Sequence, residues 1–198
     1  MLKSLERPFY EQPTLVIAQQ LLGKFLVHRL EGWDLAGKIV ETEAYIGEDD
    51  PACHAAVGRT SRNEVMFGSA GYAYVYFIYG MHYCLNVVTE QEGFPAAVLI
   101  RAIESISGID KMKELRKTQK IDQLTNGPGK ICQAFNINRL SNGLDFCGNV
   151  LFIANGDKIE SSEIVKSNRI GIKAGLNHKW RFYIKDSSFV SQNKKRGI

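Results

Sequence analysis

Two glutamates and a tyrosine lie at alternate positions of one short segment, residues 39–46. They are Glu41, Glu43 and Tyr45. The segment is predicted to be a β-strand, and because side chains alternate along a strand, these three share one face. A carboxylate is the usual group for cleaving a bond at the anomeric carbon of a sugar, and aromatic rings hold nucleobases outside their stack. The combination suggests an N-glycosidic bond as the target.

Glu43 is the candidate general base. Hydrolysis at C1′ of a nucleotide passes through an oxocarbenium-like state, so a carboxylate can both deprotonate the attacking water and stabilise the positive sugar. A structural ion pair would explain the same glutamate without any catalysis. Arg101 follows the apolar segment 96–100, which is typical of a strand buried on both faces, and is predicted to deliver one charge where that strand ends.

Residues 72–79 contain an unusual concentration of tyrosines. Alternation places Tyr72, Tyr74 and Tyr76 on one face of a strand. Core packing would explain any one of these rings, because strands favour aromatic residues. Tyr79 differs, because it precedes Gly80 at a turn where a large ring projects into solvent. A projecting ring can enter a DNA duplex in place of a base.

Two further segments carry groups that suit phosphates. The polar loop 48–71 contains His54, Arg59 and Arg62, and the segment Gly127-Pro128-Gly129-Lys130 begins a predicted helix with backbone N–H groups and a lysine. Each of these features is also common on ordinary protein surfaces. The second segment lacks the Walker pattern, which argues against a nucleotide P-loop.

Composition indicates one globular domain over residues 1–198, with a short flexible tail at about 190–198. The 198 residues are 44% hydrophobic, and no apolar run has the length of a membrane span or a signal peptide. The four cysteines form no Cys-x-x-Cys pair, which favours reduced thiols and no metal site. We therefore expect a cytoplasmic protein that does not bind membranes. A net charge of +4 permits a polyanionic partner without requiring one.

The hydrophobic periodicity predicts an α+β fold, with a curved antiparallel or mixed sheet flanked by helices. The expected helices are 14–22, 109–115 and 128–135. The expected strands are 24–30, 35–46, 72–79, 83–88, 96–100, 150–154, 169–172 and 180–184. Short turns connect several of these strands, so an antiparallel meander is predicted.

The chain resembles the alkyladenine (3-methyladenine) DNA glycosylase family. The resemblance rests on the run 41–45, the pattern Tyr-Val-Tyr-x-x-Tyr-Gly-Met at residues 74–81, Asn86 and Arg101, and it extends from about Phe9 through 127–134 to 181–183. It implies that Glu43 activates a water molecule and that Arg101 holds this water near the target phosphate. The implied base pocket is Tyr45, His54, Tyr76 and Asn86, of which Asn86 excludes guanine through its 2-amino group. The implied intercalating and DNA-backbone residues are Tyr79, Met81, Arg59, Arg62, Gly129 and Lys130.

The resemblance further implies a monomer that acts on double-stranded DNA containing damaged purines. The expected substrates are 3-methyladenine and other alkylpurines, with hypoxanthine as a further candidate. The expected enzyme needs no cofactor, uses water as nucleophile without a lyase step, and starts base excision repair by flipping the base. No residue is assigned as the acid that a neutral leaving base requires. The family pattern is broken at Glu48, Cys53 and Ser61, none of which is a catalytic position.

Two other functions fit parts of the pattern. A free-nucleoside hydrolase would use the same acid and aromatic pocket, but it would gain nothing from Tyr79 at a turn. A non-catalytic module that binds damaged DNA would keep the tyrosines and the basic residues, but it would be indifferent to the loss of Glu43.

Overall fold

The computed structural model describes residues 2–191, and its fold is α+β, as predicted. The strands are β1 (Phe25–Leu30), β2 (Trp33–Ile46), β3 (Ala73–Ile78), β4 (His82–Val88), β5 (Ala96–Ser107), β6 (Leu151–Ala154), β7 (Ile164–Ser167) and β8 (Arg181–Ile184). The helices are α1 (Arg7–Tyr10), α2 (Thr14–Gln20), α3 (Ile109–Arg116) and α4 (Pro128–Ala134). Short 3-10 turns lie at His54–Val57, Glu64–Phe67, Ile121–Gln123, Arg139–Ser141 and Ser161–Glu163.

All eight strands belong to one antiparallel sheet. Its main order is β3-β4-β5-β2-β1-β6, and β8 pairs with both β2 and β7. The hairpins β1–β2 and β3–β4 are confirmed, but a simple meander is wrong because β2 pairs with β5 and not with β3. The long segment between β2 and β3 lets the chain cross over before β3 begins. β2 thereby becomes a central strand.

The helices cover the sheet with apolar side chains and form the main core. Ile17, Leu21 and Leu22, in and just after α2, are almost fully buried in this core, and each buried side chain of this size contributes about 1.5–3 kcal/mol. The Thr42 hydroxyl of β2 donates a hydrogen bond of 2.6 Å to the Ala18 carbonyl, which fixes α2 against β2. Among residues 2–191, no helix is both long and apolar enough to cross a membrane.

The register between β2 and β5 is irregular beside the candidate residues. Glu41 pairs with Ala102 and Thr42 pairs with Ile100, so Arg101 has no partner residue on β2. An unpaired residue of this kind is a β-bulge, which bends the strand and redirects a side chain. The prediction that Arg101 lies at a strand exit is wrong. β5 continues to Ser107, because the residues beyond Arg101 go on pairing with β2 as far as Ser107 opposite Ala36.

The predicted strand at residues 169–172 is also wrong. The chain there is irregular and lies between β7 and β8, and the strand of this region is Ile164–Ser167. The Ile170 N–H donates to a carboxylate oxygen of Glu43, and the Arg169 side chain is buried against Asp50. These side-chain partners take the place of a strand ladder. Of the predicted tail at 190–198, residues 192–198 lie outside the described residues.

Candidate active site

The pairing of five strands brings the predicted residues onto one face of the sheet. Arg181 of β8 lies opposite Glu43 of β2, and Glu43 lies opposite Leu99 of β5. Leu99 in turn lies opposite Asn86 of β4, which pairs with Tyr74 of β3. Glu43 and Asn86 are therefore two strand spacings apart, about 9–10 Å.

Glu43 is fully buried and is surrounded by hydrogen-bond donors. Its Oε1 accepts from the Ile170 N–H at 2.7 Å, and its Oε2 accepts from the Tyr45 hydroxyl at 2.8 Å and from Arg101 Nη1 at 3.2 Å. Burial raises the pKa of Glu43, and the Arg101 charge, the Ile170 N–H and the Tyr45 hydroxyl limit that rise. The arrangement suits a carboxylate that accepts a proton from water.

Arg101 links Glu43 to the second glutamate of the strand. Its Nε donates to Glu41 Oε1 at 3.1 Å while its Nη1 reaches Glu43. Burial alone would lower the pKa of Arg101, but the charges of Glu43 and Glu41 outweigh burial and raise it. Arg101 therefore stays cationic. The predicted sharing of one face by Glu41 and Glu43 is consistent with this contact, because both side chains reach the same guanidinium.

Glu41 holds Arg101 in place through partners from the other end of the chain. It is fully buried and accepts hydrogen bonds from Arg181 Nε at 2.6 Å and from the Ser191 N–H at 2.6 Å. Its two arginine partners balance the two buried glutamates. Breaking such a buried network by removing one charged member is costly.

Arg169 packs its guanidinium against the Tyr45 ring. Its guanidinium makes a two-pronged ion pair with Asp50 at 2.6 and 2.8 Å and donates to the Ala44 carbonyl at 2.9 Å. It also lies 4.7 Å from the centre of the Tyr45 ring and 5.1 Å from that of Trp180. Burial opposes the ionisation of Asp50, but the hydrogen bonds from Arg169 prevail and lower the pKa of that carboxyl. Since Ile170 follows Arg169, this ion pair also positions the Ile170 N–H, which donates a hydrogen bond to Glu43.

The four residues predicted as a base pocket line one small cavity. Tyr45, His54, Tyr76 and Asn86 enclose a volume of about 20 Å³, which is room for roughly one water molecule. The Asn86 Nδ2 donates to the Tyr74 carbonyl at 3.0 Å. A purine can enter only if these side chains move apart. The pocket is therefore assembled but closed.

His54 forms one wall of this cavity as a neutral ring. Its Nδ1 lies 2.8 Å from the Tyr74 hydroxyl, and its ring lies edge-on to Tyr76 with 4.4 Å between centroids. Burial, together with the charge of Arg62, lowers the pKa of His54 to about 4. At neutral pH the imidazole is uncharged, so it is a hydrogen-bonding and stacking group and not a strong acid.

A larger groove opens on the other side of Tyr45. This groove, the Arg101 groove, has a volume of about 510 Å³ and is lined by Tyr45, Arg101, Tyr79, His82, Gly129 and Lys130, among others. A Cβ on Gly129 would lie 3.0 Å from His82 Cγ, so a larger residue would crowd this wall. Lys130 Nζ donates to Asn126 Oδ1 at 2.6 Å. The groove thus combines cationic groups, one of which, Arg101, contacts the buried Glu43.

The turn between β3 and β4 presents two bare apolar side chains. Tyr79 is 74% exposed and Met81 is 69% exposed. Tyr79 has a φ of +55°, which costs a residue with a Cβ of the order of 1–2 kcal/mol. Strain of this kind is typical of functional turns. The prediction that Tyr79 projects into solvent is confirmed.

The two arginines of the 48–71 loop differ in their surroundings. Arg59 forms an exposed ion pair with Glu64 at 3.0 Å and lines neither the cavity nor the Arg101 groove. Arg62 lies 5.4 Å from the centre of the Tyr76 ring and donates to the Phe77 carbonyl at 3.3 Å. The structure therefore places Arg62, but not Arg59, against Tyr76, one wall of the small cavity.

Sequence reasoning gave no role to several residues of the site. They are Glu41, Asp50, Arg169, Arg181 and Ser191. For Glu41 the alternation along β2 was a usable signal. The others bind partners 119 to 150 positions away in the chain, so no local pattern indicates them. Within the described part of the chain, no group of three or more His, Cys, Asp or Glu side chains could hold a metal ion.

Comparisons with known proteins agree on one family. A family model described as "Methylpurine-DNA glycosylase (MPG)" matches residues 8–188. The chain is 52% identical over 193 residues to a protein of Methanocella arvoryzae, covering 95% of this chain and 96% of the relative. It is 47% identical over 200 residues to a protein of Alkaliphilus oremlandii, covering 95% and 98%. Both relatives are named "Putative 3-methyladenine DNA glycosylase".

Proposed function

The chain belongs to the methylpurine-DNA glycosylase family, and on that premise we propose that it releases alkylated purines, 3-methyladenine among them, from duplex DNA. The resemblance inferred from the sequence is thereby confirmed. The observation that best supports the reaction is the environment of Glu43. This buried carboxylate accepts hydrogen bonds from three donors, and one of them, Tyr45, lines both the aromatic cavity and the basic groove.

The proposed reaction is hydrolysis by an activated water. The water oxygen attacks C1′, its proton passes to Glu43, and the N-glycosidic bond breaks with its electron pair leaving on the purine nitrogen. Arg101 holds the water beside the target phosphate, and Glu43 also offsets the positive charge that develops on the sugar. The product is a free base and an intact abasic site.

The charge of the lesion decides how much help its departure needs. A 3-methylated adenine carries a positive charge and leaves as a neutral base, so no acid is required. Hypoxanthine is neutral and needs a proton, and the neutral His54 is a poor donor because its pKa is about 4. We therefore expect alkylpurines to be released faster than hypoxanthine.

Base flipping is proposed to open the closed cavity. Tyr45 lines both the cavity and the Arg101 groove, so its displacement would join them into one space. Flipping costs a few kcal/mol, and less for a damaged base, while stacking on aromatic rings returns about 1–3 kcal/mol per base. The balance is near zero, so poorly paired bases enter preferentially. Tyr79 would fill the gap left in the duplex.

The decisive experiment measures base release from duplex oligonucleotides under single-turnover conditions. The duplexes carry 3-methyladenine, hypoxanthine or only normal bases. We expect release from the 3-methyladenine duplex, slower release from hypoxanthine and none from the normal duplex. Tight binding to the damaged duplex without release would support a damage-binding module instead. Equal release from free nucleosides would support a nucleoside hydrolase.

A second measurement tests the proposed absence of a lyase step. Lys130 lines the Arg101 groove, so it is the amine that would form a Schiff base if one formed. We expect no covalent protein–DNA complex after borohydride treatment and no strand cleavage at the abasic site. A trapped complex that disappears in Lys130→Arg would show that the enzyme uses an amine nucleophile.

A further inference from the structure

The β3–β4 hairpin has a groove on each of its two faces. Ile78, His82 and Cys84 line the Arg101 groove. By strand alternation the residues between them, Phe77 and Tyr83, point to the opposite face. A second groove of about 480 Å³ lies mainly on that face and also reaches Tyr76 of the edge strand β3. We call it the Arg139 groove.

The Arg139 groove is cationic and partly aromatic. Its walls include Arg62, Arg139, Phe77, Tyr83 and Asn142, and no Asp or Glu lines it among the described residues. Phe77 is 48% exposed, and its ring lies 5.0 Å from that of Tyr83. Two arginines beside an exposed aromatic pair suit an anion that carries flat or apolar groups, such as a sugar–phosphate chain.

The residue Arg139 is held in place while its charge stays available. It begins a 3-10 turn that is capped by Asn138, whose Oδ1 accepts from the Leu140 N–H at 2.9 Å. Asn142, just after the turn, accepts from the Val75 N–H of the edge strand β3 at 2.8 Å. Within residues 2–191 the exposed Arg139 guanidinium makes no hydrogen bond or ion pair.

The position of the groove beside the hairpin tip indicates which part of the DNA it faces. Tyr79 and Met81 project from that tip, and a wedge that enters a duplex groove has one strand on each side. The reacting nucleotide must lie on the side of Arg101 and Glu43. The other face of the same hairpin then faces the other strand.

We propose that the Arg139 groove binds the sugar–phosphate backbone of the undamaged strand. This inference rests on the proposed function, because it presumes that the hairpin tip enters damaged duplex DNA. Arg139 supplies the free cation. Arg62, which is held by the Tyr76 ring and the Phe77 carbonyl, connects this strand to a wall of the base cavity.

The test compares Arg139→Gln with the native protein on one lesion in two forms, the duplex and the damaged strand alone. Duplex binding should weaken about tenfold or more, as for a lost hydrogen bond to a charged group. The slope of log affinity against log salt should become shallower by about 0.9. Binding to the single strand should be unchanged. Arg29→Gln is the matched control, because Arg29 lies on β1, four strands from β3 in the sheet.

Neutral methylphosphonate linkages identify the contacted strand. Placed in the undamaged strand opposite the lesion, they should weaken binding of the native protein but not weaken Arg139→Gln further. Equal losses on duplex and single strand, or coupling of Arg139 to linkages in the damaged strand, would overturn the proposal. So would unchanged duplex binding by Arg139→Gln while the native protein still releases 3-methyladenine. Failure of the native protein itself to release the base would instead overturn the proposed function.

Discussion

Replacement of Glu43 by glutamine tests the proposed mechanism most directly. The change keeps the shape of the side chain but removes its charge and its ability to take a proton. Both carboxylate oxygens of Glu43 face donors: Oε1 accepts from the Ile170 N–H, and Oε2 accepts from the Tyr45 hydroxyl and from Arg101. The amide oxygen of glutamine can replace one carboxylate oxygen. The NH₂ group then takes the position of the other carboxylate oxygen, where it faces a donor.

The expected losses follow from this geometry. General-base catalysis contributes roughly 10²–10⁴ to a rate, so base release should slow by at least about 100-fold. Leaving a donor facing a donor and removing one charge from the buried network with Arg101 costs about 3–5 kcal/mol of folding free energy. This is less than the stability of a typical domain, about 5–15 kcal/mol, so the variant should fold and should still bind damaged duplex.

The assay is single-turnover release of 3-methyladenine, with duplex binding and urea unfolding measured on the same samples. Tyr45→Phe is the matched variant, because it keeps the ring and the carboxylate but removes one hydrogen bond to Glu43. Burial holds the pKa of Glu43 above its ordinary value. The native rate should therefore fall, as the pH is lowered, at a higher pH than an ordinary glutamate would give. Tyr45→Phe should move that fall to still higher pH, since the lost bond favours the charged form.

Two results would refute the reasoning. If Glu43→Gln releases the base within tenfold of the native rate, Glu43 is not the general base. If Tyr45→Phe leaves the pH profile unmoved, the group that titrates in that profile is not Glu43. If Glu43→Gln unfolds and therefore loses duplex binding, Glu43→Asp takes its place in the test. Glu43→Asp keeps the charge and should retain part of the rate.

Three further outcomes are expected. Asn86→Ala should raise release of 3-methylguanine relative to 3-methyladenine, measured as the ratio of single-turnover rates; an unchanged ratio would exclude a role in guanine rejection. Tyr79→Gly should raise the unfolding free energy by about 1 kcal/mol because a positive φ suits glycine, yet weaken binding to damaged duplex; unchanged binding would argue against intercalation. Asp50→Asn should lower the unfolding free energy by about 3–5 kcal/mol, because it leaves the buried Arg169 charge uncompensated; a loss below 1 kcal/mol in urea titrations would contradict that account.

The sequence predicted those elements that depend on local pattern. The hairpins β1–β2 and β3–β4 lie close to their predicted positions because alternation and turn residues are local signals. The neighbour of β2 could not be predicted, since a long connection leaves the choice of partner to packing. The bulge at Arg101 could not be predicted either, because it is a property of the β2–β5 register and not of either strand alone.

The candidate site divides in a similar way. Glu43, Tyr45 and Arg101 were found because their residue types and the family resemblance indicate them, and the structure brings their side chains into contact. The ion pair of Asp50 and Arg169 was missed because 119 positions separate its members. Residues 169–172 resemble a strand in composition, but long-range side-chain bonds decide their conformation.

The hydrogen bond between Glu41 and Ser191 joins positions 150 residues apart. The site around Glu43 should therefore be completed late in folding. Closing so long a loop is entropically slow, so local hairpins should form first. Until the segment that carries Ile170, Arg181 and Ser191 docks on β2, Glu43 lacks one donor and Glu41 lacks two of the residues that bind it. In a refolding experiment, base release should therefore return only with the last phase, after most of the sheet signal has recovered. The recovery of catalytic activity would then report the completion of folding.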